Sequence, residues 1–367
     1  MSPSEPVVLV ASAEFTLKSS PVRRTLEQRL MDDLKVRLTR AGFEGFKIEK
    51  DAGRIMIRGI SQADMAAQNC ARVFGVAYAA PATDLPASME TVLATLVRVA
   101  GDALDSGQSF AIRTHRSTAS PLSRHEIEIK GGSEVLRELA RKEIKVNLKN
   151  PNVTLYVDLA GDRAYVYHQR FAGPGGLPLS SQWKMLAVLD SGPLSILAAF
   201  SMMRRGCLVE LLVPVSDTIP SFDQETQLGF ARRLRSLVTR PNYRAFLIQL
   251  GKPDTSSLKY DAARRLVRLL SMKLATEKRF RGLIFADVAG NIAALQNGFA
   301  TADRSSPPIF RPLIGLDIED LIGMCEEIDI PVEELRSQMR LEGSQSDVSK
   351  FDFSSYGHEV NFEQISL

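Results

Sequence analysis

Between Gly173 and Val215 the chain alternates breakers with apolar runs in a pattern that few folds accept. Met185-Leu186-Ala187-Val188-Leu189 is short and wholly apolar, the mark of a strand buried on both faces. A tight polar turn follows, Asp190-Ser191-Gly192-Pro193. Leu194, Ile196, Leu197, Ala199, Phe200 and Met203 then give the broad apolar face of a helix. Arg204 and Arg205 in its last turn and Gly206 just beyond are stop signals, and Cys207 to Val215 is a second buried strand. Strand, turn, helix, strand is a βαβ unit, and its first turn lies at the carboxyl edge of a parallel sheet, where nucleotides bind.

The chemistry of that turn is mixed. A phosphate cradle needs small residues, free backbone N–H groups and a helix start. Ser191 and Gly192 suit the task, and Pro193 sits well at the first helical position. Proline brings no N–H, however, and Asp190 puts a negative charge where a polyphosphate would lie. A dismantled cradle and a plainly capped α/β turn both fit these residues. The glycine cluster at 173–176 precedes the strand, whereas a dinucleotide fingerprint follows one.

Upstream, Val7–Val10 reads as a strand, 23–41 as a helix, 46–48 and 54–58 as a hairpin about Asp51-Ala52-Gly53, and 62–74 as a second helix. This β-α-β-β-α order suits a ferredoxin-like unit, with Lys18, Arg23 and Arg24 as a basic group at its first loop. Pro81 to Pro86 reads as a hinge. Beyond it the pattern predicts a helix over 88–107, a strand at 109–113, two helical stretches at 123–130 and 133–141, and a hairpin of 153–159 with 163–168. Arg113, His115, Arg116, Arg124 and Lys149 are expected at one end of this unit, beside the serine-rich loop 117–123, as basic groups and hydroxyls that contact phosphate. Downstream, 224–239 and 262–278 read as amphipathic helices whose arginines, Arg264 and Arg268 among them, face solvent or extend an RNA-binding face.

With 367 residues, 44% of them hydrophobic and 24% charged, the chain is an ordinary globular protein of two or three domains. Its net charge of +3 permits a nucleic-acid partner without requiring one. Cys70, Cys207 and Cys325 form no CxxC pair, and His125, His168 and His358 have no partners at ligand spacing, so no metal site is expected. No apolar run nears 18 residues and no leader stands at the start, which reads as a cytoplasmic chain without a membrane span.

Several segments carry a family resemblance. Phe-Ala-Ile-Arg-Thr-His-Arg at 110–116, Lys-Val-Asn-Leu-Lys-Asn-Pro-Asn-Val-Thr at 145–154 and Asp-Arg-Ala-Tyr-Val-Tyr at 162–167 resemble a THUMP domain. Gly-Pro-Gly-Gly-Leu-Pro at 173–178 follows as it does in the tRNA 4-thiouridine synthase family. Ala-Glu-Phe-Thr-Leu-Lys at 13–18 and Phe74-Gly75-Val76 look like that family's ferredoxin-like domain, and Phe-Arg-Pro-Leu-Ile-Gly-Leu-Asp at 310–317 is similar to its late arginine-proline motif.

The resemblance implies an α/β and α+β chain: a ferredoxin-like domain at 1–82, a THUMP domain at 83–175 and a PP-loop-like domain at 176–342. The last would be a doubly wound, mainly parallel sheet, and a loose tail would fill 343–367. It also implies tRNA as partner, ATP and magnesium as cofactors, and adenylation of a uridine before sulfur transfer. Against the family signature Ser-Gly-Gly-x-Asp-Ser this chain has Asp190-Ser191-Gly192-Pro193-Leu194-Ser195. Ser191, Gly192, Ser195, Asp287, Gly290 and Arg311 are the residues the resemblance assigns to nucleotide. The signature aspartate has become Leu194, which can neither accept a hydrogen bond nor hold a metal-bound phosphate. No cysteine stands in 326–367 to carry sulfur, so no catalytic residue is named. The expectation is a tRNA-binding protein with an eroded ATP-pyrophosphatase loop, non-catalytic or altered in tRNA thiolation. The alternative is an active ATP-dependent sulfurtransferase that takes sulfur from a carrier protein. Homodimerisation stays open.

Overall fold

A computed structural model describes residues 5–13, 18–51, 54–116, 120–241, 243–250, 260–289, 307–343 and 362–367. The chain divides into two compact units, meeting in sequence between Gly175 and Gly176.

The first unit runs β1 (Glu5–Ser12), α1 (Ser20–Arg40), β2 (Lys47–Asp51), β3 (Arg54–Arg58), α2 (Ala63–Ala71) and β4 (Val76–Pro86). It continues with α3 (Met89–Ala103), β5 (Ser109–Arg116), α4 (Arg124–Glu138), β6 (Lys145–Val146), β7 (Val153–Ala160), β8 (Arg163–Tyr167) and β9 (Phe171–Ala172). All its strands join one sheet, in the order β2-β3-β1-β4-β8-β7-β5-β6, with β9 added to β4. The predicted β2–β3 hairpin is present, Asp51 pairing with Arg54.

Two expectations are corrected here. Pro81 to Pro86 is the second half of β4, not a hinge. Along one side β4 pairs with β1 from Val76 to Asp84. On its other side it pairs with β9 at Tyr78 and Ala79 and with β8 from Thr83 to Pro86. Pro81 falls in the gap between β9 and β8, so its missing N–H leaves no acceptor on that side unserved. The stretches at 123–130 and 133–141 are largely one helix, α4. Gly131 reads as a break, but a Cβ there would come within 2.9 Å of methyl groups on Ile112 and Leu96. It is the contact that lets α4 lie close against β5 and α3.

The second unit is the α/β sheet that the apolar runs predict. It holds β10 (Lys184–Val188), α5 (Gly192–Arg204), β11 (Leu208–Val215), α6 (Gln224–Leu237) and β12 (Arg244–Gln249). Then come α7 (Tyr260–Glu277), β13 (Leu283–Ile284), β14 (Ile309–Phe310), α8 (Ile318–Glu327), α9 (Val332–Gly343) and β15 (Glu363–Ser366). The sheet order is β14-β13-β10-β11-β12-β15, parallel except where β15 pairs with β12. Leu186, Val188, Leu212, Phe246 and Ile248 pack with Leu266, Val267, Leu270 and Leu274 of α7. Residues of the opposite parity, such as Met185 and Ala187, are equally buried. The end of the expected loose tail is β15, an edge strand, and just past it the Leu367 main-chain oxygen accepts from Arg235 Nε at 3.2 Å.

Strand order reverses at β10: β11 and β12 lie on one side, β13 and β14 on the other. The carboxyl ends of β10 and β13 therefore flank the crevice of the sheet, and Asp190 and Asp287 leave it from opposite sides. Among the described residues no helix is long and apolar enough to cross a membrane.

Candidate functional site

The turn after β10 is closed by its own groups. Ser191 N–H donates to Ser195 Oγ at 2.9 Å, Leu194 N–H to the Ser191 carbonyl at 3.1 Å, and Pro193 has no donor. Gly192 holds φ +48°, left-handed backbone that favours glycine. Leu194 is fully buried in α5 and has become core.

Asp190 is fully buried and meets two guanidinium groups of α7. Arg268 Nε donates to its Oδ2, and Arg264 Nε stands 3.7 Å from the same oxygen. Arg264 Nη2 also donates to Ser191 Oγ at 2.8 Å. Arg268 reaches across the crevice to Asp287, its Nη1 lying 2.8 Å from Oδ1, and Arg311 Nε donates to Asp287 Oδ2 at 2.8 Å. The Tyr260 hydroxyl donates to the Asp190 carbonyl at 2.9 Å and accepts from Gln338 Nε2 at 2.9 Å. The chain Arg264–Asp190–Arg268–Asp287–Arg311 is thus a buried ionic ladder joining the ends of β10, β13 and β14.

Electrostatics follow from that ladder. Burial pushes the Asp287 carboxyl up, but Arg268, then Arg264 and Arg311, outweigh it and hold the group below the usual carboxylate range. Burial likewise works against the Arg268 charge, while Asp190 and Asp287 raise its pKa above the ordinary arginine value. Among the described residues no group of three His, Cys, Asp or Glu could hold a metal ion.

Of the residues assigned to nucleotide, Ser191, Gly192, Ser195, Asp287 and Arg311 gather here; Gly290 lies outside the described residues. Arg264 and Arg268 were expected on a polar face and are corrected: Arg264 is buried and the Arg268 side chain is only 13% exposed. A spacing of four on a helix places them on one face, but periodicity does not say whether that face meets water or carboxylates. The available signal was Asp190 itself, because an aspartate between a buried strand and a buried helix requires a cation. Tyr260 and Gln338 carried no such signal.

In the first unit, β6 pairs with Ser109 and Phe110, and farther along β5 the Thr114 N–H donates to Glu128 Oε1 of α4 at 2.8 Å. Arg113, His115 and Arg116 are exposed there, as are Arg124 at the start of α4 and Lys149. Arg113 Nη2 donates to the Leu148 carbonyl, which brings Arg113 beside the Lys149 loop. At the start of α1, Lys18 and Arg24 are exposed, whereas Arg23 Nε donates to Glu27 at 3.0 Å. Glu27 also accepts from Lys50 at 2.5 Å, so Arg23 serves a carboxylate of its own helix.

The comparisons with known proteins accord with this geometry. Family models match in order: the ThiI ferredoxin-like domain at 7–80, the THUMP domain at 86–169 and the thiamine biosynthesis protein (ThiI) model at 180–337. A probable tRNA sulfurtransferase of Aeropyrum pernix is 31% identical over 88% of this chain and 83% of its own length. One of Thermococcus kodakarensis is 29% identical over 88% and 87%. A crystal structure of a 4-thiouridine synthetase–RNA complex with bound ATP shares the fold, with TM-score 0.69 and 20% identity over 99% of this chain and 100% of that one. Taken with the three matched models, these relatives place the chain in the tRNA 4-thiouridine synthase (ThiI) family, the tRNA sulfurtransferases.

Proposed function

We propose that this chain is a tRNA-binding member of its family whose nucleotide turn is non-catalytic or altered in thiolation. One observation carries the reading: the Asp190 carboxylate lies buried at the turn, ion-paired to Arg268 and Arg264. The guanidinium groups that would meet a polyphosphate already hold Asp190 and Asp287. ATP and magnesium do not fit the turn in this state, because three of its amide positions bond internally or carry proline and Asp190 faces the phosphates. A phosphate charge about 4 Å from that carboxylate is opposed by about 4 kcal/mol at an effective dielectric near 20.

RNA binding is more tolerant, since it spreads over many phosphate contacts. In this reading the parts at 1–82 and 83–175 hold tRNA through Arg113, His115, Arg116, Arg124 and Lys149, with Lys18 and Arg24 from the first loop. The part at 176–342 serves as scaffold. The setting is the cytoplasm.

Calorimetric titration of the full chain with ATP and magnesium, with and without unmodified tRNA, tests the reading. The expected result is tRNA binding without nucleotide binding. Nucleotide uptake with ATP–pyrophosphate exchange would instead establish an active sulfurtransferase fed by a sulfur carrier.

A further inference from the structure

The groove at the opposite, amino edge of the six-stranded sheet is a second site of a different kind. It has a volume of about 590 Å³ and is lined by Trp183, Arg279, Phe280, Arg281, Pro307 and Pro308, among others. These residues precede β10, β13 and β14, all parallel, whereas Asp190 and Asp287 follow β10 and β13.

Three observations mark it as an interaction surface. Trp183 is the chain's single tryptophan and is 64% exposed, although such a ring normally buries most of its area. Arg279 adopts φ +56° where α7 ends: its N–H bonds the Thr276 carbonyl at 3.2 Å, and Phe280 N–H bonds the Ala275 carbonyl at 2.9 Å. Glycine is the favoured residue at that position, and here an arginine takes it. Among the described residues, the exposed side chains of Arg279 and Arg281 form no ion pair or hydrogen bond, and no acidic residue lines the groove. Arg281 N–H donates to the Lys184 carbonyl at 2.9 Å, which fixes the arginine loop beside Trp183.

The occupant this combination fits is anionic and planar. Carboxylate side chains would satisfy the arginines but offer no ring for the open indole face, whereas a nucleotide carries both an anionic group and a ring. From this we infer that the groove binds an unpaired stretch of RNA, with a base stacked on Trp183 and the neighbouring phosphates on Arg279 and Arg281. The inference rests on the reading of the chain as a tRNA-binding protein and adds a second contact to it.

Because Trp183 is the only indole, its emission reports on this groove alone. The full chain is titrated with an end-labelled single-stranded RNA of about twelve nucleotides, following both tryptophan emission and label anisotropy. Quenching that disappears at high salt is expected. Trp183→Leu should weaken binding about tenfold, the loss of one stacked base. Arg279→Gly should weaken it several-fold and lower the salt slope by about one, with the melting temperature unchanged or raised because glycine relieves the backbone. Anisotropy change without quenching, unchanged affinity in Arg279→Gly, or equal quenching by polyglutamate overturns the inference. If tRNA still shifts through Arg113 and Arg116 while Trp183 stays silent, the groove alone is refuted. If tRNA does not shift at all, the tRNA-binding reading falls with it.

Discussion

Arg268 Nη1 stands 2.8 Å from Asp287 Oδ1, and the same guanidinium donates to Asp190, so one buried side chain ties together the loops after β10 and β13. Removing it takes a partner from two buried carboxylates, leaving Asp190 with Arg264 and Asp287 with Arg311. Arg268→Met should destabilise the second unit by about 3–5 kcal/mol in urea unfolding. Adding Asp190→Asn should return part of that loss, since one of the two under-compensated charges is then gone. Strictly additive effects would mean that the pair is not coupled.

The ladder also sets an acid dependence. The Asp287 pKa is held below its ordinary unfolded value of about 3.9, so its contribution is complete above that pH and lost as pH falls through the folded value. Asp287→Asn should therefore be less stable than the parent at neutral pH. Its stability should fall less steeply below about pH 4. Equilibrium unfolding across pH 2–7 (an approximate window) measures the difference in slope.

Much of this fold could be read in advance, for identifiable reasons. The strands at 184–188 and 208–215 are continuous apolar runs, and the α5 face between them is unambiguous. Helix α9 went unread because its first turn carries Glu333 and Glu334 and its apolar positions are sparse. Pro81 and Pro86 mimic a hinge locally, and only the pairing of β4 with β1, β8 and β9 shows how a strand accommodates them. At the site, Ser191, Gly192, Ser195, Asp287 and Arg311 were legible as a family pattern. The meaning of Arg264 and Arg268 was not, because Ser191 and Asp190, which they meet, lie more than 70 positions upstream.

Phosphate contact in the first unit makes a separable prediction. Arg113→Ala and Arg116→Ala should each weaken tRNA binding, with the salt slope reduced by about one in each. Arg23→Ala should act differently. It removes a partner of Glu27, whose pKa is held down by Lys50 and Arg23 against burial, so the loss appears in stability. Gel shifts at several salt concentrations, paired with thermal melts, separate the two behaviours.

The thiols offer a test of sulfur handling. Cys70 and Cys325 are buried; burial pushes the first up to about 12 and, with Glu334 and Glu326, the second up to about 11. Burial raises Cys207 too. At neutral pH the native chain should resist alkylation by iodoacetamide at all three positions, while the urea-unfolded chain reacts at each. Mass spectrometry of native and unfolded samples reads this directly. Rapid native labelling of Cys325 would revive it as a sulfur carrier.

The strongest test of the turn is to remove the charge that fills it. In the parent, Arg264, Arg268 and Arg311 face Asp190 and Asp287; in Asp190→Ser they face one carboxylate, and the serine restores the hydroxyl of the family signature. The variant alone should be less stable, because Arg268 loses a buried partner. Inorganic pyrophosphate should then take the place of the carboxylate and raise the melting temperature, by the equivalent of about 2.7 kcal/mol at a hundredfold excess over its dissociation constant. The parent should show no such rise at the same concentration, and sodium sulfate at matched ionic strength controls for general salt effects. A parent chain stabilised by pyrophosphate as strongly as the variant would mean that Asp190 yields to phosphate, and the turn would have to be read as a working nucleotide site.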